Sequence, residues 1–287
     1  MRRVLSFSNL VMVVMAMAVI GAGCGSSTSG EVSSGRVGNV TTLKVMVPCG
    51  QVGPFSEIVK AYQEKYPEIE VEWIPENMVT ITRKLLAGKD RADVVLSMGD
   101  RELNLLQDGG LLMDGTRVRY AENSLAIMVP ADNPANVHGM DDLVKSEVKT
   151  ITIPDPKENS AGVHAVDALK NAGIWERVEK KVLFAQYAAD SKDVAAKGQA
   201  QASIGYYPCA VEVHIPGQPP AQPKNLKMVC QVSPDVYGPF YCEGVVLKDS
   251  ENVDAAKKLL EFLQTSDSQE VFKIWKFIGD ASTCAAE

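Results

Sequence analysis

From Leu43 onward, short aliphatic runs alternate with amphipathic helical stretches, and this alternation restricts the chain more than any other feature of its sequence. Leu43–Val47 reads as a strand, Phe55–Lys65 as a helix with Ile58, Val59 and Tyr62 on one face, and Ile69–Ile74 as the next strand. Ile81–Ala87 predicts a helix, Asp93–Leu96 a third strand, and Glu102–Asp108 a third helix closed by Gly109-Gly110. Strand and helix in strict turn imply a parallel sheet with right-handed crossovers. Ligands of such sheets lie at the carboxyl ends of the strands, which makes the loop after Val47 the first place to search.

Ser124–Val129 is a further apolar strand ended by Pro130, after which the alternation restarts. Thr150–Ile153 predicts a strand, His164–Ala172 a helix, and Val182–Phe184 and Ser203–Tyr207 two more strands. The chain returns through a strand at Tyr241–Leu247 and closes with helices over Val253–Gln264 and Ser268–Phe277. The expectation is an α/β protein of two lobes, each a mixed sheet flanked by helices. Residues 43–126 and 244–287 would form the first lobe and residues 127–243 the second, with crossings near Ala126–Pro130 and Phe240–Gly244.

The amino terminus carries a separate message. Arg2 and Arg3 precede an apolar run, Val4 to Ile20, and the small residues Gly21-Ala22-Gly23 lead to Cys24. This pattern predicts a bacterial lipoprotein signal over residues 1–24, with the mature chain beginning at a lipidated Cys24. A run of about 20 apolar residues can also span a bilayer, but small residues leading into a cysteine favour cleavage. Residues 25–42 (GSSTSGEVSSGRVGNVTT) have too little apolar content to pack and predict a flexible tether. The body would then work in the periplasm or on another extracytoplasmic face, held to a membrane by lipid.

Charge and composition narrow the function. Loss of the two leader arginines takes the net charge from −7 to −9, which opposes a nucleic-acid partner. With 46% hydrophobic and 23% charged residues the chain has the make-up of a globular protein. His138, His164 and His214 are far apart, no nucleophile elbow or phosphate-cradling loop is present, and no cofactor is implied, so the reading is not an enzyme. Pro216–Pro223 predicts an exposed polyproline loop.

The order LKVMVPCG, EVEWIP, AGKDRADVVLS, ENSLAIMVP, LKNAGIW, IGYYPCA and VVLKDS, carried from Leu43 to Gly279 behind a lipoprotein signal, resembles the periplasmic solute-binding proteins of ABC importers. The likeness is greatest to their molybdate- and tungstate-binding branch. It implies the type II periplasmic-binding-protein fold, with two lobes, two crossing hinge strands and a small anionic ligand trapped as the lobes close. It also implies a monomer that delivers the ligand to a membrane permease, the transport energy coming from a separate ATPase.

In those relatives hydroxyl side chains of the first lobe, backbone N–H groups of the second and a tyrosine hydroxyl hold the oxyanion. The resemblance carries these roles onto Cys49, Gly50 and Gln51, onto Asn77 and Met78, onto Ala161 and Gly162, and onto Tyr206, with Cys209 where an aspartate usually stands. The loop Ala189–Asp193 is a further candidate. The expected serines are missing, and a thiol donates only weakly. A second ligand chemistry therefore stays open, a thiol-based receptor for a soft metal or metalloid using Cys49, Cys209 and Cys242. A third possibility is a cell-surface sensor on the same fold. Besides Cys24 there are five cysteines, and Cys230 and Cys242 are placed to bridge the base of a Pro/Gly-containing segment.

Overall fold

The computed structural model describes residues 40–210, 224–277 and 283–284. The expected signal, most of the tether and the Pro216–Pro223 loop lie outside them. The elements are β1 (Thr41–Pro48), α1 (Val52–Lys65), β2 (Ile69–Glu76), α2 (Met78–Leu86), β3 (Val94–Leu96), α3 (Asp100–Asp108), β4 (Val118–Asn123) and β5 (Leu125–Pro130). There follow β6 (Ile151–Pro154), α4 (Ser160–Asn171), α5 (Trp175–Val178), β7 (Val182–Ala185), α6 (Ala188–Ala196), β8 (Ala202–Tyr206), β9 (Leu226–Val232), β10 (Phe240–Val246), α7 (Val253–Phe262), α8 (Ser266–Ile274) and β11 (Thr283–Cys284).

The strands form two mixed sheets, ordered β2-β1-β3-β10-β4 and β11-β9-β5-β8-β6-β7. In the first, β1 runs parallel to β2 and β3. Leu43, Val45, Met46 and Val47 are all buried, as a central parallel strand covered on both faces requires. Helix α1 buries Phe55, Ile58, Val59 and Tyr62. Gly88 and Gly110 (φ +63 and +71) stand just past the ends of α2 and α3, in the left-handed conformation that stops a helix. Helix α7 buries Leu259, Leu260 and Phe262, each contributing about 1.5–3 kcal/mol.

The sheets divide the chain at other residues than expected. The chain leaves the first sheet at Asn123 and enters the second at Leu125, then returns between Val232 and Phe240. All of Leu125–Pro130 thus pairs in the second sheet, and Phe240–Glu243, expected in the second lobe, pair in the first. Strand β11 pairs with β9 in the second sheet. Thr41 and Thr42, assigned to the tether, already pair with Ile69 and Glu70. The crossings are tied together, because the Leu125 N–H donates to Tyr237 Oη at 3.4 Å and Tyr237 stands in the returning segment.

Helices belonging to the two sheets also touch. Glu102 of α3 accepts from the Ser160 N–H at 3.2 Å and from the Ser160 hydroxyl at 2.5 Å. Arg83 of α2 pairs with Glu158 at 2.8 Å, and Arg101 donates to the Lys157 carbonyl. Gly99 permits this approach, since a Cβ there would lie 2.3 Å from the Ser160 Cβ. These contacts close the space between the sheets on one side and leave a cavity beside them.

Candidate functional site

The cavity holds about 540 Å³ and lies where the carboxyl ends of strands from both sheets converge. From the first sheet come Pro48 at the end of β1, Cys49 and Gly50 after it, Asn77 and Met78 after β2, and Met98 after β3. From the second come Asn159, Ala188 and Ala189, Tyr206 at the end of β8, and Pro208 and Cys209 after it. Trp275 of the last turn completes the wall and packs on Gly53, where a Cβ would lie 2.1 Å from its ring.

Four helices begin at or near this cavity, and their first N–H groups are spent differently. A helix start leaves N–H groups without intrahelical partners and carries partial positive charge. At α2, the Asn77 side chain accepts from the Val79 N–H at 2.9 Å, and Glu76 accepts from the Asn77 N–H at 2.8 Å. At α4, the Ser160 N–H goes to Glu102, the Ala161 N–H to Asn159 Oδ1 at 2.9 Å and Tyr206 Oη at 3.3 Å, and the Gly162 N–H to the Asn159 carbonyl at 3.1 Å. That end is filled by the protein's own carboxylate. No side chain caps α6, whose first residues Ala188 and Ala189 line the cavity, and none caps α1 or the 3-10 turn Cys49–Gln51 leading into it.

The electrostatics favour an anion. Lys192, one turn into α6, lines the cavity and makes no ion pair among the described residues. Glu57, also in the wall, accepts from the Trp275 ring N–H at 2.9 Å. Burial pushes the Tyr206 hydroxyl far above its ordinary range, so it stays protonated. Its oxygen accepts from Ala161, which leaves its proton to donate. Uncapped helix starts, a neutral hydroxyl and a lysine make a site for a small, negatively charged group.

Residues 43–277 match the sequence profile of the bacterial extracellular solute-binding proteins. The chain belongs to that family. The molybdate-binding protein ModA of Rhodobacter capsulatus is 24% identical over 169 residues, which are 59% of this chain and 62% of that protein's length. The Azotobacter vinelandii periplasmic molybdate-binding protein shares the fold with a TM-score of 0.66 at 13% identity, over 83% of this chain and 99% of the other. The sulfate-binding protein SubI of Mycobacterium tuberculosis shares it with a TM-score of 0.65 at 17% identity, over 83% and 86%.

In this solute-binding protein six of the residues named from sequence meet at one cavity: Cys49, Gly50, Asn77, Met78, Tyr206 and Cys209. Three others do not reach it. Gln51 is fully buried, donates to the Ser97 carbonyl at 3.0 Å and accepts from the Tyr120 hydroxyl at 2.7 Å, so its side chain serves the core. Ala161 and Gly162 have no exposed surface to offer, and a Cβ on Gly162 would lie 2.2 Å from the Pro154 carbonyl, so this glycine faces β6. His164 is half-buried and stacks on Phe240 at 4.1 Å. The stretch 189–193 is helix rather than loop and supplies Lys192. Met98 was reachable by rule, since it stands two residues past the end of a parallel strand.

The thiols also part from expectation. Cys230 is disulfide-bonded, whereas Cys242 is free and fully buried on β10, so the Cys230–Cys242 bridge does not form. Cys242 is hydrogen-bonded to Gln51 behind the wall, and no group of three or more metal-ligating His, Cys, Asp or Glu occurs among the described residues. Cys49, Cys209 and Cys242 form no such group. Burial raises the Cys49 thiol above its ordinary value against the opposing N–H of Gly50, and pushes Cys209 up to about 12. Both remain protonated near neutral pH. Iodoacetamide on native protein should label exposed Cys49 first, Cys209 more slowly and Cys242 only after unfolding, with rates rising as pH is raised. Peptide mass mapping reads the order; equal labelling of all three in native protein contradicts it.

Proposed function

We propose that this protein captures a tetrahedral oxyanion of the molybdate or tungstate class in the cavity between its sheets and delivers it to an ABC permease. The observation that carries this reading is the convergence of two uncapped helix starts, at α1 and α6, with Lys192 and the Tyr206 hydroxyl on one enclosed space. Its relatives, two of them molybdate-binding and one sulfate-binding, support an anion of this shape. Binding favours the closed arrangement, in which the α3–α4 contact is made, and the permease reads that state. The protein acts as a monomeric binding partner rather than an enzyme. The anion takes its donors from the Cys49–Gly50 turn, the first turn of α6, Lys192 and Tyr206.

Isothermal titration with molybdate, tungstate and sulfate tests the reading. Lys192→Gln removes a charge-assisted bond and should weaken binding by about 1.5–3 kcal/mol, more than tenfold. Tyr206→Phe removes a neutral donor and should cost about 1–2 kcal/mol. Binding of none of these anions, or unchanged affinity in both variants, contradicts the site.

No helix among the described residues is long and apolar enough to cross a membrane. Anchoring is proposed to run through lipid on Cys24, with the 25–42 stretch as spacer. The mass of native protein should show a lipidated amino-terminal Cys24, and an intact Met1 without lipid contradicts this.

A further inference from the structure

The cavity is rich in sulfur where an oxyanion site would be rich in hydroxyls. Cys49, Met78, Met98 and Cys209 all line it, drawn from both sheets. Met98 and Cys209 crowd the turn after β1, because a Cβ on Gly50 would lie 2.6 Å from Met98 Sδ and 3.1 Å from Cys209 Sγ. Two hydroxyl side chains line the same wall, Ser56 and Tyr206, and Ser56 donates to the Gly53 carbonyl at 2.7 Å. Tyr206 is the hydroxyl left for a ligand.

Such a wall discriminates among anions of equal shape and charge. An oxygen placed against Met98 and Cys209 gives up its water hydrogen bonds for a thioether, which donates none, and a thiol, which donates weakly. A terminal sulfur is larger, more polarisable and more weakly hydrated, so it loses less and gains more dispersion contact there. Lys192 and the start of α6 stand on the other side to receive charge.

We propose that the cleft selects a tetrahedral dianion in which terminal sulfur replaces oxygen, with that sulfur against Cys49, Met98 and Cys209 and the remaining charge toward α6 and Lys192. This rests on the anion-binding reading above and refines its ligand class. The contact is non-covalent. Both thiols stay protonated and act as soft surface rather than as nucleophiles.

The test is calorimetric titration of reduced, desalted protein under anaerobic conditions with two matched pairs, molybdate against tetrathiomolybdate and sulfate against thiosulfate. In wild type the thio member of at least one pair should bind about tenfold or more tightly than its oxo partner. A preference confined to one pair identifies the central atom. The Cys49→Ser/Cys209→Ser variant should narrow or invert that preference, since its hydroxyls favour oxygen. Met98→Leu, which keeps the volume and loses the sulfur, should narrow it without touching the thiols. Oxo members binding as tightly as thio members in both pairs, or a thio preference unchanged in both variants, overturns the proposal and leaves anion binding standing. Failure of all four anions to bind overturns the anion reading as well.

Discussion

The contact between Glu102 and Ser160 governs how this molecule can hold a ligand. A carboxylate with almost no exposed surface is costly, and burial raises its pKa. The Ser160 N–H and hydroxyl, at the positive end of α4, offset that cost. The same bonds join the helices of one sheet to those of the other. They also use up the helix start that the resemblance had assigned to the ligand. The donors that remain lie at α1 and α6, and the walls between them turn inward from the carboxyl ends of both sheets.

Much of this architecture was legible in the sequence. The three strands and two helices of the first sheet's opening half were readable because a buried parallel strand is an unbroken apolar run and α1 carries its apolar residues at helical spacing. The crossings were misplaced by a few residues because every residue of Leu125–Pro130 is buried, so the run reads the same in either sheet. Helix α6 escaped notice because its inward face is made of Ser191 and Ala195, too small to give an apolar stripe. Its value to the site lies in what it lacks, a side-chain cap, and that shows only once Ala188 and Ala189 are seen at the cavity.

The site residues followed a similar division. Cys49, Asn77 and Cys209, which the resemblance named, stand beyond the ends of β1, β2 and β8, and the topology brings those strand ends to one cavity. The N–H groups of Ala161 and Gly162 are taken by Asn159, two and three residues before them, and the distant partners Tyr206 and Glu102, 45 and 58 residues away, hold Ala161 and Ser160 as well. The side chain of Gln51 turns away from the cavity because a polar residue beside a ligand turn can point either way, and the Tyr120 hydroxyl draws it into the core. The cysteines divide likewise: Cys230 enters a disulfide, Cys242 packs behind the wall, and Cys49 and Cys209 face the cavity.

The central claim is that an anion sits between the starts of α1 and α6 and leaves α4 to Glu102. A crystal structure grown with molybdate, with diffraction collected at the molybdenum absorption edge, locates the ligand without reference to any side chain. The account predicts an anomalous peak within hydrogen-bonding reach of the Cys49–Gly50 turn, the Ala188–Ala189 backbone and Lys192, with Glu102 still bound to Ser160. A peak at the start of α4, with Glu102 displaced from Ser160, would contradict it.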